Sequence, residues 1–483
     1  MLFKPQSIRT DFLTLGEPFY SKVTPTPLNN PRWIHINSAV ADLLGISVDD
    51  IREQGLPLLS GQTILSDHPG IAMVYSGHQF GGYSPQLGDG RALLMAQYQS
   101  REGLIDIQLK GAGKTPYSRF GDGRAVLRSS IREYLAGEAM HALGIATSRA
   151  LCLVGSDEVV IRERPETGAI VTRTAKTHIR FGNFEYFHYT GKLELVKQLA
   201  DYLIEHFLPS ALSANNPYQQ LFEMTVINTA KMIARWQAVG FAHGVMNTDN
   251  MSILGETIDY GPYGFLDDYE PAFICNHSDT YGRYAFDEQP GVGLWNLNAL
   301  GHALSSLLSE DEIKNTLALY EPTITQEYAQ LMRAKLGLTT KADTDQQLLS
   351  ALLNLMKEDK ADYTQTFRTL SHLSLDDKTH SVMDNFKQTE KISLWCEQYC
   401  SRLIQENSRD ENRQQQMLST NPKFIARNYQ LQAVIEDTQR GNTHKLEELM
   451  TVLQTPFAEH PALEHYATPP SHEGKHLSIS CSS

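Results

Sequence analysis

The sequence predicts an α+β fold in which a strand-bearing first part leads into a helical remainder, and three observations carry that prediction. The first ~190 residues are rich in glycine and aromatic residues, with turns separating short apolar runs. A strand signal at 104–110 passes through a glycine-rich turn into a helical period at 126–143. From about 191 onward the apolar spacing is mostly helical.

The elements follow in order. In Leu104-Ile105-Asp106-Ile107-Gln108-Leu109-Lys110, the residues Ile105, Ile107 and Leu109 share one face, which is the alternation of a half-buried strand. Lys110 falls on the opposite face, at the strand's end. Between Val126 and Leu143, Leu127, Ile131, Leu135 and Ala139 recur at helical spacing. Leu193–Phe207 and Leu221–Val239 are long and periodic enough for buried helices, and the second runs directly into His243-Gly244-Val245-Met246-Asn247-Thr248-Asp249-Asn250. Ser309 followed by Glu312 reads as a capping box. Beyond 330, helical segments are broken by polar stretches such as Thr339–Gln347 and Gln405–Gln416, which read as solvated faces or connections. There is no internal repeat, and the last dozen or so residues read as a mobile tail. The expected organisation is a glycine-rich nucleotide-binding region at 1–190, a helical region with catalytic and metal loops at 191–330, a helical extension at 331–460 and a flexible tail with Cys481 at 461–483.

Composition narrows the classes. The 483 residues carry 42 Lys and Arg against 56 Asp and Glu, a formal charge of −14, with 41% apolar and 20% charged residues. That is a globular composition. The acidic balance argues against non-specific nucleic-acid binding, which demands clustered Lys and Arg, but it leaves room for a nucleotide pocket. No window approaches the roughly 18 unbroken apolar residues of a membrane span. The opening MLFKPQSIRTDFL has no charged region followed by a long apolar core, so no secretory signal is expected. Five cysteines in such a chain do not make a disulfide framework, and Cys396 and Cys400 sit at the spacing of neighbours on one helix face. The expectation is a cytoplasmic protein with neither nucleic acid nor membrane as partner.

Four clusters could carry chemistry. Tyr75-Ser76-Gly77-His78-Gln79-Phe80-Gly81-Gly82 leads to Gly88-Asp89-Gly90-Arg91. Lys110-Gly111-Ala112-Gly113-Lys114 leads through Arg119 to Gly121-Asp122-Gly123-Arg124. Glycines let backbone N–H groups approach phosphate oxygens, and Lys and Arg neutralise their charge. Neither stretch is a Walker A loop, and either alone could be a plain turn. Together they gather Arg91, Lys110, Lys114, Arg119 and Arg124 in one short region of an acidic chain, a reversal of sign that a polyphosphate would explain. The third cluster is Arg173 and Arg180, which singly would read as solvated arginines. The fourth is HGVMNTDN followed by Asp259-Tyr260-Gly261. Asn250 and Asp259 supply the oxygen ligands that a phosphate-bound Mg²⁺ takes, although either alone could be a turn residue.

The order strand Lys, helix Glu, HGxxxxxN and DYG resembles the protein-kinase order of β3 Lys, αC Glu, HRDxxxxN and DFG. The resemblance implies a kinase-like bilobal fold with additional C-terminal helices. For the ion-pair glutamate, Glu138 lies within the apolar stripe of its helix and Glu133 well off it; a carboxylate on a buried stripe needs a cation, so the helical wheel favours Glu138. One departure stands out. The kinase base lies five residues before the metal-binding Asn, a position occupied here by Val245, which accepts no proton. Asp249 is the nearest replacement.

Longer strings extend the likeness. YSGHQFGGYSPQLGDGR, QLKGAGKTPYSRFGDGRAVLRSSIREYL, HGVMNTDNMSILGETIDYGPYGFLDDY and the terminal SCSS closely resemble the selenoprotein O family of kinase-fold protein adenylyltransferases, densely so from about 75 to 295. The resemblance implies that ATP lies flipped relative to kinases, with the α-phosphate facing the acceptor, and that AMP moves to Ser, Thr or Tyr of proteins with release of pyrophosphate. Some members resemble enzymes that transfer UMP from UTP. Carried over by motif, Asp249 is the proton acceptor, and Asn250 and Asp259 hold Mg²⁺ or Mn²⁺. Gly88, Gly90, Arg91, Lys110, Asp122, Gly123, Arg173 and Arg180 line the nucleotide, and the ion-pair glutamate falls on Glu133. The resemblance also implies a Cys275–Cys481 disulfide across the segment that corresponds to a kinase activation loop. Two other readings compete: a phosphotransferase that moves the γ-phosphate, against which Val245 argues, and an inactive nucleotide-binding scaffold or redox sensor, against which the Asn250/Asp259 pair argues.

Overall fold

The alternation read at 104–110 builds the strand Gly103–Lys110, which lies inside a nine-stranded sheet. In the computed structural model, which describes residues 2–65, 69–377, 380–472 and 474–476, the main path of that sheet is antiparallel throughout. Its order is Tyr20–Val23, Gly70–Met73, Ala92–Ser100, Gly103–Lys110, Pro165–Ala175, Arg149–Ile161 and Arg32–Ile36. Two short strands, Ile8–Arg9 and Ala125–Val126, pair off this path.

The Gly103–Lys110 strand is not half-buried as its alternation suggested: residues 105–110 are all buried. Both faces are covered. Ile105, Ile107 and Leu109 join an apolar cluster with Val40, Ala41 and Ile51 from the short N-terminal helices Ser38–Leu44 and Val48–Gln54. Asp106, Gln108 and Lys110 point the other way, where buried partners meet Asp106, Lys110 and the Gln108 side-chain oxygen. Register brings Arg173 opposite Gln108 and Val171 opposite Lys110, so one face of two neighbouring strands presents Gln108, Lys110 and Arg173 together.

The helix expected at 126–143 runs over Leu127–Ala142, and Leu193–Phe207 matches its expected bounds. The third helix begins earlier than expected, at Pro217. Asn216 caps it by accepting from the N–H groups of Tyr218 and Gln219, Pro217 fits the first turn, and Gly240 in the left-handed region (φ 73°) ends it. The Ser309 capping box forms in both directions. Cys396 and Cys400 share the helix Thr389–Gln405. Among the described residues no helix is long and apolar enough to cross a membrane.

The C-terminal segment packs behind the sheet. Leu446, Leu449 and Leu453 of the helix His444–Gln454 share an apolar core with Ile131, Leu135 and Ala139 of Leu127–Ala142. Gln454 Nε2 donates to Glu138 Oε2 (3.1 Å), and Arg132 reaches Asn428 Oδ1 (3.1 Å) and the Tyr263 carbonyl (2.7 Å). Residues 332–417 form a separate cluster around Leu352, Tyr363 and Trp395. Cys275 is buried, its Sγ 3.5 Å from the Ala242 carbonyl; Cys481, the other half of the expected bridge, lies outside the described residues.

Candidate active site

Sheet, helix and loops converge on a cleft of about 710 Å³. Its back wall is a chain of charges. Lys110 Nζ lies 2.5 Å from Glu133 Oε2, and Arg173 Nε contacts Glu133 Oε1. Arg173 Nη2 then reaches Asp259 Oδ1 (2.6 Å), and Arg180 Nη1 reaches Asp259 Oδ2 (2.5 Å). Each acid in this chain is held by two cations, which offsets the cost of burying it. Glu133 is therefore the ion-pair glutamate, as the motif placed it. The buried Glu138 has its own cation: Arg149 binds it in bidentate fashion at 2.7 and 2.8 Å. The wheel argument was sound in requiring a partner for Glu138 and wrong only about which partner.

Asp249 and Asp259 face the same cleft in opposite electrostatic settings. Burial works to raise the carboxyl of Asp259, but Arg173 and Arg180 outweigh it and hold the group well below the ordinary carboxylate range. Among the described residues Asp249 has no ion-pair partner. Burial pushes its carboxyl up to about 7, offset in part by Arg180 and by the hydrogen bond from Gln79 Nε2 to Oδ2 (3.2 Å). Its other oxygen, Oδ1, is buried with no hydrogen-bond partner. Lys110 is lowered to about 8, by burial and by Arg173, with Glu133 pulling the other way.

The loop carrying Asp249 is set by its neighbours. Arg180 Nη1 donates to the Asp249 carbonyl (2.7 Å), and Asn250 Nδ2 donates to the Val245 carbonyl (3.0 Å), leaving Asn250 Oδ1 as that side chain's acceptor. Asn250 and Asp259 both line the cleft. Their oxygens make a hard donor set suited to Mg²⁺ or Mn²⁺. Among the described residues no group of three or more His, Cys, Asp and Glu side chains could hold a metal by itself.

Gly88, Gly90, Arg91, Lys110, Asp122, Gly123, Arg173 and Arg180 all line the cleft, as the motifs placed them. Asp122 is held at the rim by Arg162 (2.7 and 3.0 Å) and accepts from the Arg124 N–H. Two of the expected phosphate cations are placed otherwise than expected. Arg124, though it borders the cleft, donates to Glu158 and to the carbonyls of Thr26 and Pro27, so it anchors the loop. Lys114 is exposed and does not line the cleft.

The first glycine cluster also differs from its expected role as a phosphate cradle. Residues 77–84 form a hairpin of Gly77–Gln79 and Gly82–Ser84 lying against the Asp249 loop. His78 N–H donates to Thr248 Oγ1 (2.7 Å), and Phe80 N–H donates to the Tyr284 hydroxyl (2.9 Å), which itself donates to Asn247 Oδ1 (2.7 Å). A Cβ on Gly77 would lie 2.5 Å from Asp249 Oδ1. Sequence reasoning missed Gln79, Tyr75 and Arg162. Tyr75 lies beneath the Arg180 guanidinium, 4.7 Å from it. The one signal for Gln79 was its place inside the glycine run.

The family model described as "Protein adenylyltransferase SelO" matches residues 4–454. The chain is 49% identical over 479 residues to a Vibrio vulnificus protein named "Protein nucleotidyltransferase YdiU", covering 98% of each chain. Proteins of the same name from Aliivibrio salmonicida (48%, 99% of each chain) and Myxococcus xanthus (49%, 98% of each chain) are similarly related.

Proposed function

The chain belongs to the SelO family and is a nucleotidyltransferase; we propose that the group it moves is AMP, taken from ATP and placed on Ser, Thr or Tyr hydroxyls of proteins on a kinase-like framework. UTP, with the same triphosphate, would be handled by the same residues. The observation that carries this reading is the unequal pair of cleft carboxylates: Asp259 is paired with two arginines, while Asp249 keeps a buried oxygen with no partner among the described residues. An acceptor hydroxyl placed against Asp249 Oδ1 would satisfy that oxygen and give up its proton to it.

In this reading the triphosphate runs backwards relative to a kinase. The hydroxyl oxygen forms a bond to the α-phosphorus, the bond to the bridging oxygen breaks, and pyrophosphate leaves. Lys110, Arg173 and Arg180 offset charge on the departing phosphates, and the work of the site is positioning plus electrostatic stabilisation. Asn250 and Asp259 would hold Mg²⁺ or Mn²⁺, which supplies further charge neutralisation when bound. Val245 in the kinase-base position supports transfer other than that of the γ-phosphate.

The test uses α-labelled and γ-labelled ATP separately with a protein acceptor such as the chain itself. Covalent label from α only is expected, and label from γ would overturn the reading. Asp249→Ala should lower turnover by about 10²–10⁴-fold while ATP affinity stays within twofold; wild-type transfer by that variant would remove Asp249 from the role of base. Asp259→Ala should abolish metal-dependent ATP binding, measured by calorimetry with and without Mg²⁺.

A further inference from the structure

A second cleft, of about 360 Å³, lies apart from the catalytic one and is bordered by different residues. That volume is within the ~300–1,000 Å³ range of small-molecule sites. It opens between the face of Pro217–Val239 that carries Met224, Asn228, Lys231 and Arg235, the end of Leu193–Phe207, and the segment Leu254-Gly255-Glu256. Its chemistry has three parts. Lys176 and Lys231 are exposed cations at the cleft, and Arg235, held by Glu327 (3.1 Å) and the Gly144 carbonyl (2.7 Å), stands beside them. Met224, Met232 and Phe207 supply apolar walls. Glu256, only 7% exposed, lines the cleft with Oε2 buried and without a hydrogen-bond partner.

A buried acceptor oxygen with no partner among the described residues, on a side chain that borders a cavity, calls for an N–H or O–H donor from a ligand. Lys231 and Lys176, exposed and without a salt bridge among the described residues, though Lys176 also offsets Glu256, call for an anion in a chain of charge −14. Thioethers and a phenyl ring suit a flat, polarisable body between the two. From these three demands we infer that the second cleft is a regulatory binding site for a purine nucleoside monophosphate, its phosphate at Lys176 and Lys231 and its exocyclic amine donating to Glu256.

The cleft touches the catalytic machinery through the backbone. Lys176 precedes Arg180 by four residues and Glu256 precedes Asp259 by three, and the two segments are hydrogen-bonded to each other, Ile253 N–H to the Ile179 carbonyl (3.2 Å) and Phe181 N–H to the Met251 carbonyl (3.0 Å). A ligand spanning Lys176 and Glu256 therefore braces the two stretches that deliver Arg180 and Asp259 to the first site, which is the physical route for coupling.

The test reads binding and so stands independently of the proposed reaction. AMP is titrated by calorimetry into the full chain and into Lys231→Glu and Glu256→Gln, with ATP affinity and the thermal midpoint recorded for each. The expected result is AMP affinity lowered at least about tenfold in both variants with ATP affinity unchanged, and purine riboside monophosphate, lacking the amine, binding wild type about tenfold more weakly than AMP. AMP binding that is absent from wild type, or that survives unchanged in Lys231→Glu, overturns the inference. Inorganic phosphate binding as tightly as AMP overturns the nucleotide assignment. Because Lys231 is exposed, that variant decides the question even if Glu256→Gln is unstable.

Discussion

Two glycine-rich stretches do opposite work. The run at 77–84 folds into a hairpin whose backbone hydrogen-bonds to the loop carrying Asp249, and its first glycine is needed because the aspartate stands where a side chain would go. The run at 111–124 is a rim. Gly113 N–H donates to the Gly123 carbonyl (3.0 Å) to close the loop, Arg124 ties it to the sheet's edge, and Phe120 at its tip is fully exposed. What separates them is the surrounding chain: the first is pressed against the loop carrying Asp249 and is a brace, while the second borders open space and is a wall of the cleft. Glycine content marks close backbone approach without saying what approaches.

That contrast can be broken most severely at Gly77. Gly77→Ala should displace Asp249 and lower transfer by about 10²-fold with ATP affinity little changed; steady-state kinetics with full activity would show that the hairpin braces nothing. Gly123→Ala acts on the other stretch. Its φ of 74° and a Cβ that would fall 2.1 Å from the Gly113 carbonyl carbon should spoil the wall, raising KM for ATP about tenfold while kcat falls less.

A subtler probe is the root of the hairpin, where His78 Nδ1 lies 2.9 Å from Glu185 Oε2. Burial raises the Glu185 carboxyl to about 7, against a hydrogen bond from Thr248 that lowers it. A carboxyl raised from 4.5 to about 7 favours the folded state fully below pH 4.5, and that contribution is lost as pH rises through 7. Glu185→Gln should therefore gain about 1–2 kcal/mol relative to wild type between pH 5 and pH 8, read from denaturant melts at both values. The smallest effect belongs to Phe120→Ala, which should change stability by no more than about 0.5 kcal/mol.

Much of the scaffold was legible because periodicity reports burial. Leu193–Phe207 and the helix at 127–142 stood out at close to their observed bounds. The Gly103–Lys110 strand was found but its burial was misjudged, since polar residues at alternate positions look solvent-facing until Glu133, Arg173 and His178 arrive from elsewhere in the chain. The site residues were visible through motif order. Their pairings were not, because Glu133 and Glu138 differ in partner through strand register, and nothing local to the helix encodes where Lys110 and Arg149 land. Gln79 escaped for the same reason, as it meets Asp249 across 170 positions of chain.

The helix bearing Glu133 is fastened from behind by Gln454, Asn428 and the Tyr263 carbonyl. Protein kinases commonly shut down by swinging the helix of their ion-pair glutamate outward. Here an outward swing would have to break all three of these contacts, so the C-terminal part of the chain resists the parting of Lys110 from Glu133.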